Sequence, residues 1–161
     1  NPKLNCRLKN MEKFSPTRIV LDNKLKTNTK SYLFKTAKKH NTIFFYNEAS
    51  KSKILDFKKK NIELLKSKIN NNKKFDLSLI LKKLYKLGFR NILVEGGNDL
   101  TIAFISQKLF NKFYLFQSPK KLSKLTKYKE FNGFNILKQN YKTRLKINSD
   151  FGNDTVTQYK Y

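Results

Sequence analysis

Three short, uninterrupted apolar runs set the terms for this chain: Ile19-Val20-Leu21, Ile43-Phe44-Phe45 and Ile92-Leu93-Val94. Successive side chains of a strand point to opposite faces, so a strand with one wet face alternates apolar with polar residues. An uninterrupted run has no polar face and requires cover on both sides, as in a parallel or mixed sheet flanked by helices. The predicted strands are Arg18–Asp22, bounded by Pro16, then Thr42–Tyr46, then Asn91–Glu95, which is the clearest of the three and is closed by Gly96-Gly97.

Helical spacing fills the intervals. Lys51–Lys60 reads as a short helix, and Asn70 to Lys74 as a solvated polar loop. Asp76 is a good N-cap for a helix through Leu87, with Leu77, Ile80, Leu81, Leu84 and Leu87 on one face and Gly88 as the residue that ends it. Asn98 or Asp99 opens a further helix carrying Leu100, Ala103 and Phe104. Phe113–Gln117 is another strand, stopped by Pro119. Beyond it, Gly133 and Gly152-Asn153 punctuate shorter segments (Ile136–Leu137, Leu145–Ile147, Thr155–Tyr159) that read as antiparallel hairpin strands. The expectation is a single α/β domain over 1–161 with a mixed, mainly parallel central sheet and antiparallel C-terminal hairpin strands.

Composition removes several function classes. No run approaches the roughly 20 apolar residues of a membrane span. One cysteine, Cys6, and one histidine, His40, cannot build a Cys/His zinc site, and nothing near either in sequence marks a nucleophile pair. The net charge of +25 would suit a nucleic-acid binder. However, only Arg7, Arg18, Arg90 and Arg144 are arginine among 36 basic residues, and the lysines are spread along the whole chain. Base and phosphate recognition favours the planar arginine fork, so dispersed lysine reads better as a compositional bias than as a binding stripe. A basic nucleic-acid-binding module remains the alternative, with Phe and Tyr available to stack on bases.

The segment Ile92-Leu93-Val94-Glu95-Gly96-Gly97-Asn98-Asp99-Leu100 carries the chemistry. Glycines after a strand admit a ligand close to the backbone. The first amides of the following helix then face it with the positive end of the helix dipole behind them. Such a turn suits a phosphate, although the pattern is not the G-x-G-x-x-G fingerprint and a plain tight turn would look the same. Glu95 falls where ligands bind open α/β sheets, at the carboxyl end of a strand. Arg7, in Asn1-Pro2-Lys3-Leu4-Asn5-Cys6-Arg7, stands out for being arginine in a lysine-rich chain.

These stretches resemble the C-terminal reductase domain of bifunctional riboflavin-biosynthesis deaminase/reductases. Asn1 to Arg7 is similar to its D-[DN]-P-x-L-x-x-R stretch, and Pro16 to Asp22 to its P-x-R-[IV]-V-[LI]-D strand. Ile92 to Gly97 with Leu100 and Phe104 is similar to its V-E-G-G-x-x-L-x-x-x-[FL] turn, and Leu115 to Lys120 to its L-[YF]-x-x-P-K strand end. The four blocks lie in the same order. The resemblance implies a three-layer fold like dihydrofolate reductase, a homodimer, and a cytoplasmic bacterial setting. It also implies NADPH-dependent reduction of the ribosyl group of 5-amino-6-(5-phosphoribosylamino)uracil to ribityl. By position it puts Leu4, Arg7 and Glu95 at the phosphorylated pyrimidine substrate, with Glu95 the catalytic candidate. It puts Asn23, Gly97, Asn98, Asp99, Leu100, Thr101, Ile102 and Ala103 at the dinucleotide. Neither a metal, a membrane nor a specific nucleic acid is implied. The acidic residue before Asn1, the domain's first strand and helix, and the family's deaminase domain are absent, so the chain is expected to begin inside a longer protein, and an inactive reductase-like fragment is a further alternative.

Overall fold

Two of the three apolar runs become neighbouring strands. β1 (Arg18–Leu21) and β2 (Thr42–Tyr46) pair in parallel with Val20 opposite Phe44, and β3 (Glu63–Lys66) joins β2 on its other side with Leu64 opposite Phe44. The computed structural model describes residues 1–120, 131–141, 143–147 and 152–160, and the chain divides into two units, 1–87 and 88–161.

In unit 1–87 the sheet order is β1-β2-β3. The central strand is the most enclosed, with Phe44 and Phe45 both at 0% exposure. The links are α1 (Tyr32–Lys35), N-capped by the Ser31 hydroxyl, and α2 (Lys51–Lys58), N-capped by Ser50. From the end of α2, Phe57 packs edge-on against Phe34 (5.0 Å between centroids) and Phe44 (5.2 Å), while Leu25, Ala37 and Ile62 complete the core. Burying each such side chain contributes about 1.5–3 kcal/mol. α3 (Leu77–Lys86) starts where the Asp76 carboxylate accepts the Leu79 amide at 3.0 Å, and it buries Leu77, Ile80 and Leu84. Gly88, at φ +95°, adopts the left-handed conformation beyond its end.

Arg18 is the polar centre of this unit. It is 2% exposed, yet among the described residues no carboxylate meets it. Instead Nε and Nη2 donate to Thr42 Oγ1 (3.0 and 2.7 Å), Nη1 donates to Thr36 Oγ1 (2.8 Å), and Nη2 also reaches the carbonyls of Leu33 and His40. A buried guanidinium needs its N–H groups occupied, and neutral oxygens do this here. The cation in turn acts on His40. Burial foremost, then Arg18 and Lys39, hold its imidazole below the ordinary value of 6.5.

In unit 88–161, α4 (Asn98–Ser106) and α5 (Phe134–Asn140) accompany an antiparallel sheet of order β4-β6-β5, formed by β4 (Lys112–Gln117), β5 (Arg144–Ile147) and β6 (Thr155–Lys160). The core gathers Ile105, Leu137, Tyr141 and Tyr159 with Phe110, Phe113 and Phe131 around them, and the Tyr141 hydroxyl donates to the Ile105 carbonyl at 3.0 Å. Gly133 is required by space. A Cβ there would lie 2.5 Å from the Phe131 ring.

The α/β class, with parallel strands first and antiparallel strands at the C-terminus, is observed; the two strand sets form separate three-stranded sheets. Three local expectations need correction. Asn91–Glu95 is not a strand: it lies in irregular chain, with Leu93 82% exposed, because no described strand pairs with it. Ile136–Leu137 belongs to α5, where Phe134, Leu137 and Tyr141 follow helical spacing that two apolar residues alone do not reveal. The helix from Lys51 stops at Lys58 rather than Lys60. Among the described residues no helix is long and apolar enough to cross a membrane.

Candidate functional site

The carboxyl ends of parallel strands collect polar groups because each strand stops with its last carbonyls and side chains facing outward, which is where open α/β sheets bind ligands. In unit 1–87 the loop after β1 is shaped by Asp22, whose carboxylate accepts from Lys26 N (2.8 Å), Thr27 N (2.7 Å) and the Thr27 hydroxyl (2.8 Å). This fixes Asn23. Its carbonyl accepts the amides of Asn47 and Glu48 just past β2, and its Nδ2 donates to the Lys73 carbonyl at 3.5 Å. The Asn23 Oδ1 atom is buried and has no hydrogen-bond partner among the described residues. An unsatisfied buried acceptor costs about 1–3 kcal/mol, which an N–H or O–H donor from a ligand would recover. Beside it, Asn47 Nδ2 donates to the Ser67 carbonyl at 3.1 Å, and Ser67 N donates to the Tyr46 carbonyl at 2.7 Å. No sequence motif marks Asn47 or Ser67, which meet here beside Asn23. Their signal was their place directly after β2 and β3, and β3 itself was not foreseen.

The N-terminal block is anchored locally. The Tyr32 amide donates to Asn1 Oδ1 (2.8 Å) at the start of α1, and the Cys6 amide donates to the Ser15 hydroxyl (3.2 Å). Between them Leu4 adopts φ +50°, a left-handed conformation costing about 1–2 kcal/mol in a residue with a Cβ. Asn5 Oδ1 is a second buried acceptor without a partner among the described residues. Arg7 is exposed and makes no ion pair among the described residues, so its guanidinium is available for an anion.

In unit 88–161 the two glycines do different things. A Cβ on Gly96 would come within 2.8 Å of the Leu100 side chain, so its absence lets Leu100 fold back over the turn. A Cβ on Gly97 would meet nothing within 4 Å. Gly97 is the N-cap of α4 (φ −68°, ψ 175°) and supplies no side-chain acceptor to the first turn. The first turn of a helix presents N–H groups with no intrahelical acceptor, and here no cap side chain accepts from them. Thr101 N donates to the Gly97 carbonyl (3.1 Å) and the Thr101 hydroxyl to the Gly96 carbonyl (3.4 Å), which locks the turn. Asp99 puts a carboxylate on the same turn; it suits the helix dipole and opposes an incoming anion.

The predicted residues are thus divided by sequence. Leu4, Arg7 and Asn23 belong to 1–87, and Gly97 through Ala103 form the cap and first turns of α4. Glu95 is exposed on the irregular segment before α4 rather than at a strand end. Of the aromatics considered for stacking on bases, Phe44 and Phe45 are enclosed, whereas Phe116 is 59% exposed. Among the described residues no group of three His, Cys, Asp or Glu side chains is arranged to hold a metal.

A family model described as the RibD C-terminal domain matches residues 1–157. The riboflavin biosynthesis protein RibD of Actinobacillus pleuropneumoniae is 29% identical over 161 residues, covering 99% of this chain and 42% of that protein. Its namesake from Aquifex aeolicus is 27% identical over 160 residues, with the same coverage. The chain therefore spans less than half the length of these relatives. Among solved structures, Acinetobacter baumannii RibD aligns with a TM-score of 0.69 at 16% identity, over 99% of this chain and 42% of that one. A pyrimidine reductase-like protein from Corynebacterium diphtheriae aligns at 0.63 and 14% identity, over 91% and 61%. At such identities the structural likeness speaks for the fold alone.

Proposed function

The chain belongs to the RibD C-terminal domain family, and from that premise we propose that it is a pyrimidine reductase of riboflavin biosynthesis. In this reading it reduces the ribosyl group of 5-amino-6-(5-phosphoribosylamino)uracil to ribityl with NADPH. The observation that carries the proposal is the mouth of α4, an N-terminus without a side-chain cap and with open space at Gly97. A diphosphate requires several N–H donors and a positive local potential, and a helix N-terminus supplies both.

Each residue then has a defined task. The amides behind Gly97 hold the dinucleotide's diphosphate, with Asn98 through Ala103 forming the wall that carries them. Asn23 accepts a hydrogen bond from the cofactor through Oδ1, which lacks a partner otherwise. Arg7 pairs with an anionic or carbonyl part of the substrate bidentately. The backbone turn at Leu4 sets that side chain against the pyrimidine. Glu95 accepts hydrogen bonds from substrate N–H or hydroxyl groups and fixes the sugar's orientation. When bound, the reduced nicotinamide supplies the hydride for the sugar C1′; the protein's contribution is placement. The same reading extends to a cytoplasmic homodimer, joined in the full-length protein to a deaminase domain.

The test is NADPH oxidation by the full natural chain in the presence of the phosphoribosylamino-pyrimidine. Glu95→Gln should lower turnover by at least about 10²-fold, the scale of one lost catalytic contact, with the melting temperature unchanged. Parallel losses of activity and stability would make Glu95 structural. A folded wild-type chain with no turnover would overturn the proposal.

A further inference from the structure

The antiparallel sheet carries a second candidate site that shares no residue with those assigned above. A pocket of about 350 Å³ is lined by Gln117, Phe134, Arg144, Lys146, Thr157 and Tyr159. The pleat explains why these residues meet. Arg144 and Lys146 are two apart on β5 and so share one face, and the register sets them opposite Tyr159 and Thr157 of β6. Gln117 closes β4 and Phe134 opens α5. The volume is at the lower end of the range for small-molecule sites.

The lining has one electrostatic character. Among the described residues it holds two cations and no carboxylate, and neither Arg144 nor Lys146 makes an ion pair. A third cation stands close by: Lys138 Nζ is 4.4 Å from the centroid of the Phe134 ring. The remaining polar groups, the Thr157 hydroxyl and Gln117 amide, can donate hydrogen bonds. The half-buried Phe134 ring supplies flat apolar wall, and Tyr159 belongs to the core beneath it. Arg144 is one of only four arginines in a chain that otherwise uses lysine, and its fork matches two oxygens of a phosphate at once.

We propose that this pocket binds a small phosphate monoester carried on a flat ring, with Arg144 and Lys146 holding the phosphate and Phe134 against the ring. The site is independent of the reductase reading, since no residue of α4 or of the N-terminal block takes part.

The measurement is a titration of isotope-labelled protein with phenyl phosphate at 150 mM salt, where diffuse surface attraction is screened beyond about 8 Å. The expected result is a saturable curve with amide shifts centred on Gln117, Arg144, Lys146, Thr157 and Tyr159, and weaker binding of inorganic phosphate. Combining Arg144→Gln with Lys146→Gln should weaken binding by roughly tenfold or more. Removing the same charge from α2, by Lys51→Gln with Lys58→Gln, should leave it within about twofold. Should the pocket variant fail to fold, Arg144→Lys keeps the charge and loses the fork, and a several-fold weakening supports the site. Unsaturable binding, shifts centred elsewhere, equal loss in the α2 variant, or equal affinity for inorganic phosphate would overturn the proposal.

Discussion

Ile43-Phe44-Phe45 and Ile92-Leu93-Val94 are close to interchangeable as sequence, yet the first is sealed in the middle of a sheet while the second lies open to solvent as irregular chain. The first has β1 on one side, β3 on the other, and Phe57 of α2 over it. The second has no ladder partner among the described residues. Backbone N–H and C=O groups left without partners gain nothing by extension. A strand is therefore a property of its neighbours as much as of its own residues, and apolar content alone gives no sheet position.

The sharpest way to break this contrast is to truncate both runs. Phe44→Ala should lower unfolding free energy by about 3–5 kcal/mol, the range for a buried aromatic. Leu93→Ala should change it by less than about 0.5 kcal/mol, as for an exposed position. Urea melts of the two variants decide it: equal losses would mean that Leu93 is buried in solution. A second, smaller effect sits beneath β1 and β2. Arg18→Met leaves Thr42, Thr36 and two carbonyls without their donor, and should cost about 2–3 kcal/mol. Arg18→Lys should restore only part, since one ammonium cannot reach four acceptors. Full restoration would show that charge, not fork geometry, matters at that position.

The smallest expected effect depends on pH. Because the folded state holds His40 below its ordinary value of 6.5, unfolding takes up a proton on acidification. Stability is fully present above 6.5 and falls as pH drops through the range between the unfolded value and the lowered folded one. Melts from pH 7.5 to 5 should show this slope, and His40→Gln should flatten it. A wild-type slope unchanged in the variant would assign the effect to other groups.

Legibility followed the same division. β2 and the Asp76-to-Gly88 helix were readable because cap, periodicity and terminator agreed. β3 was not, since Glu63-Leu64-Leu65-Lys66 has polar ends and becomes a strand only through the ladder that β2 offers. α1, with four residues, is held by its Ser31 cap and by burial of Leu33 and Phe34 rather than by any sequence period. Of the candidate residues, the Gly97 turn stands in a glycine block visible in the sequence, whereas Asn23 comes only from the resemblance to the reductase domain. The hydrogen bond of Asn47 to Ser67 and the setting of Arg144 and Lys146 opposite Tyr159 and Thr157 depend on long-range register, which no local window contains.

The most direct test of the reductase account is to follow the backbone amides of 15N-labelled protein while NADPH is added at physiological salt. The account predicts saturable shifts at Gly97 through Thr101 and at the Asn23 side-chain amide. Saturable binding with Gly97 through Thr101 unmoved, or shifts scattered over lysine-rich surface without saturation, would contradict it.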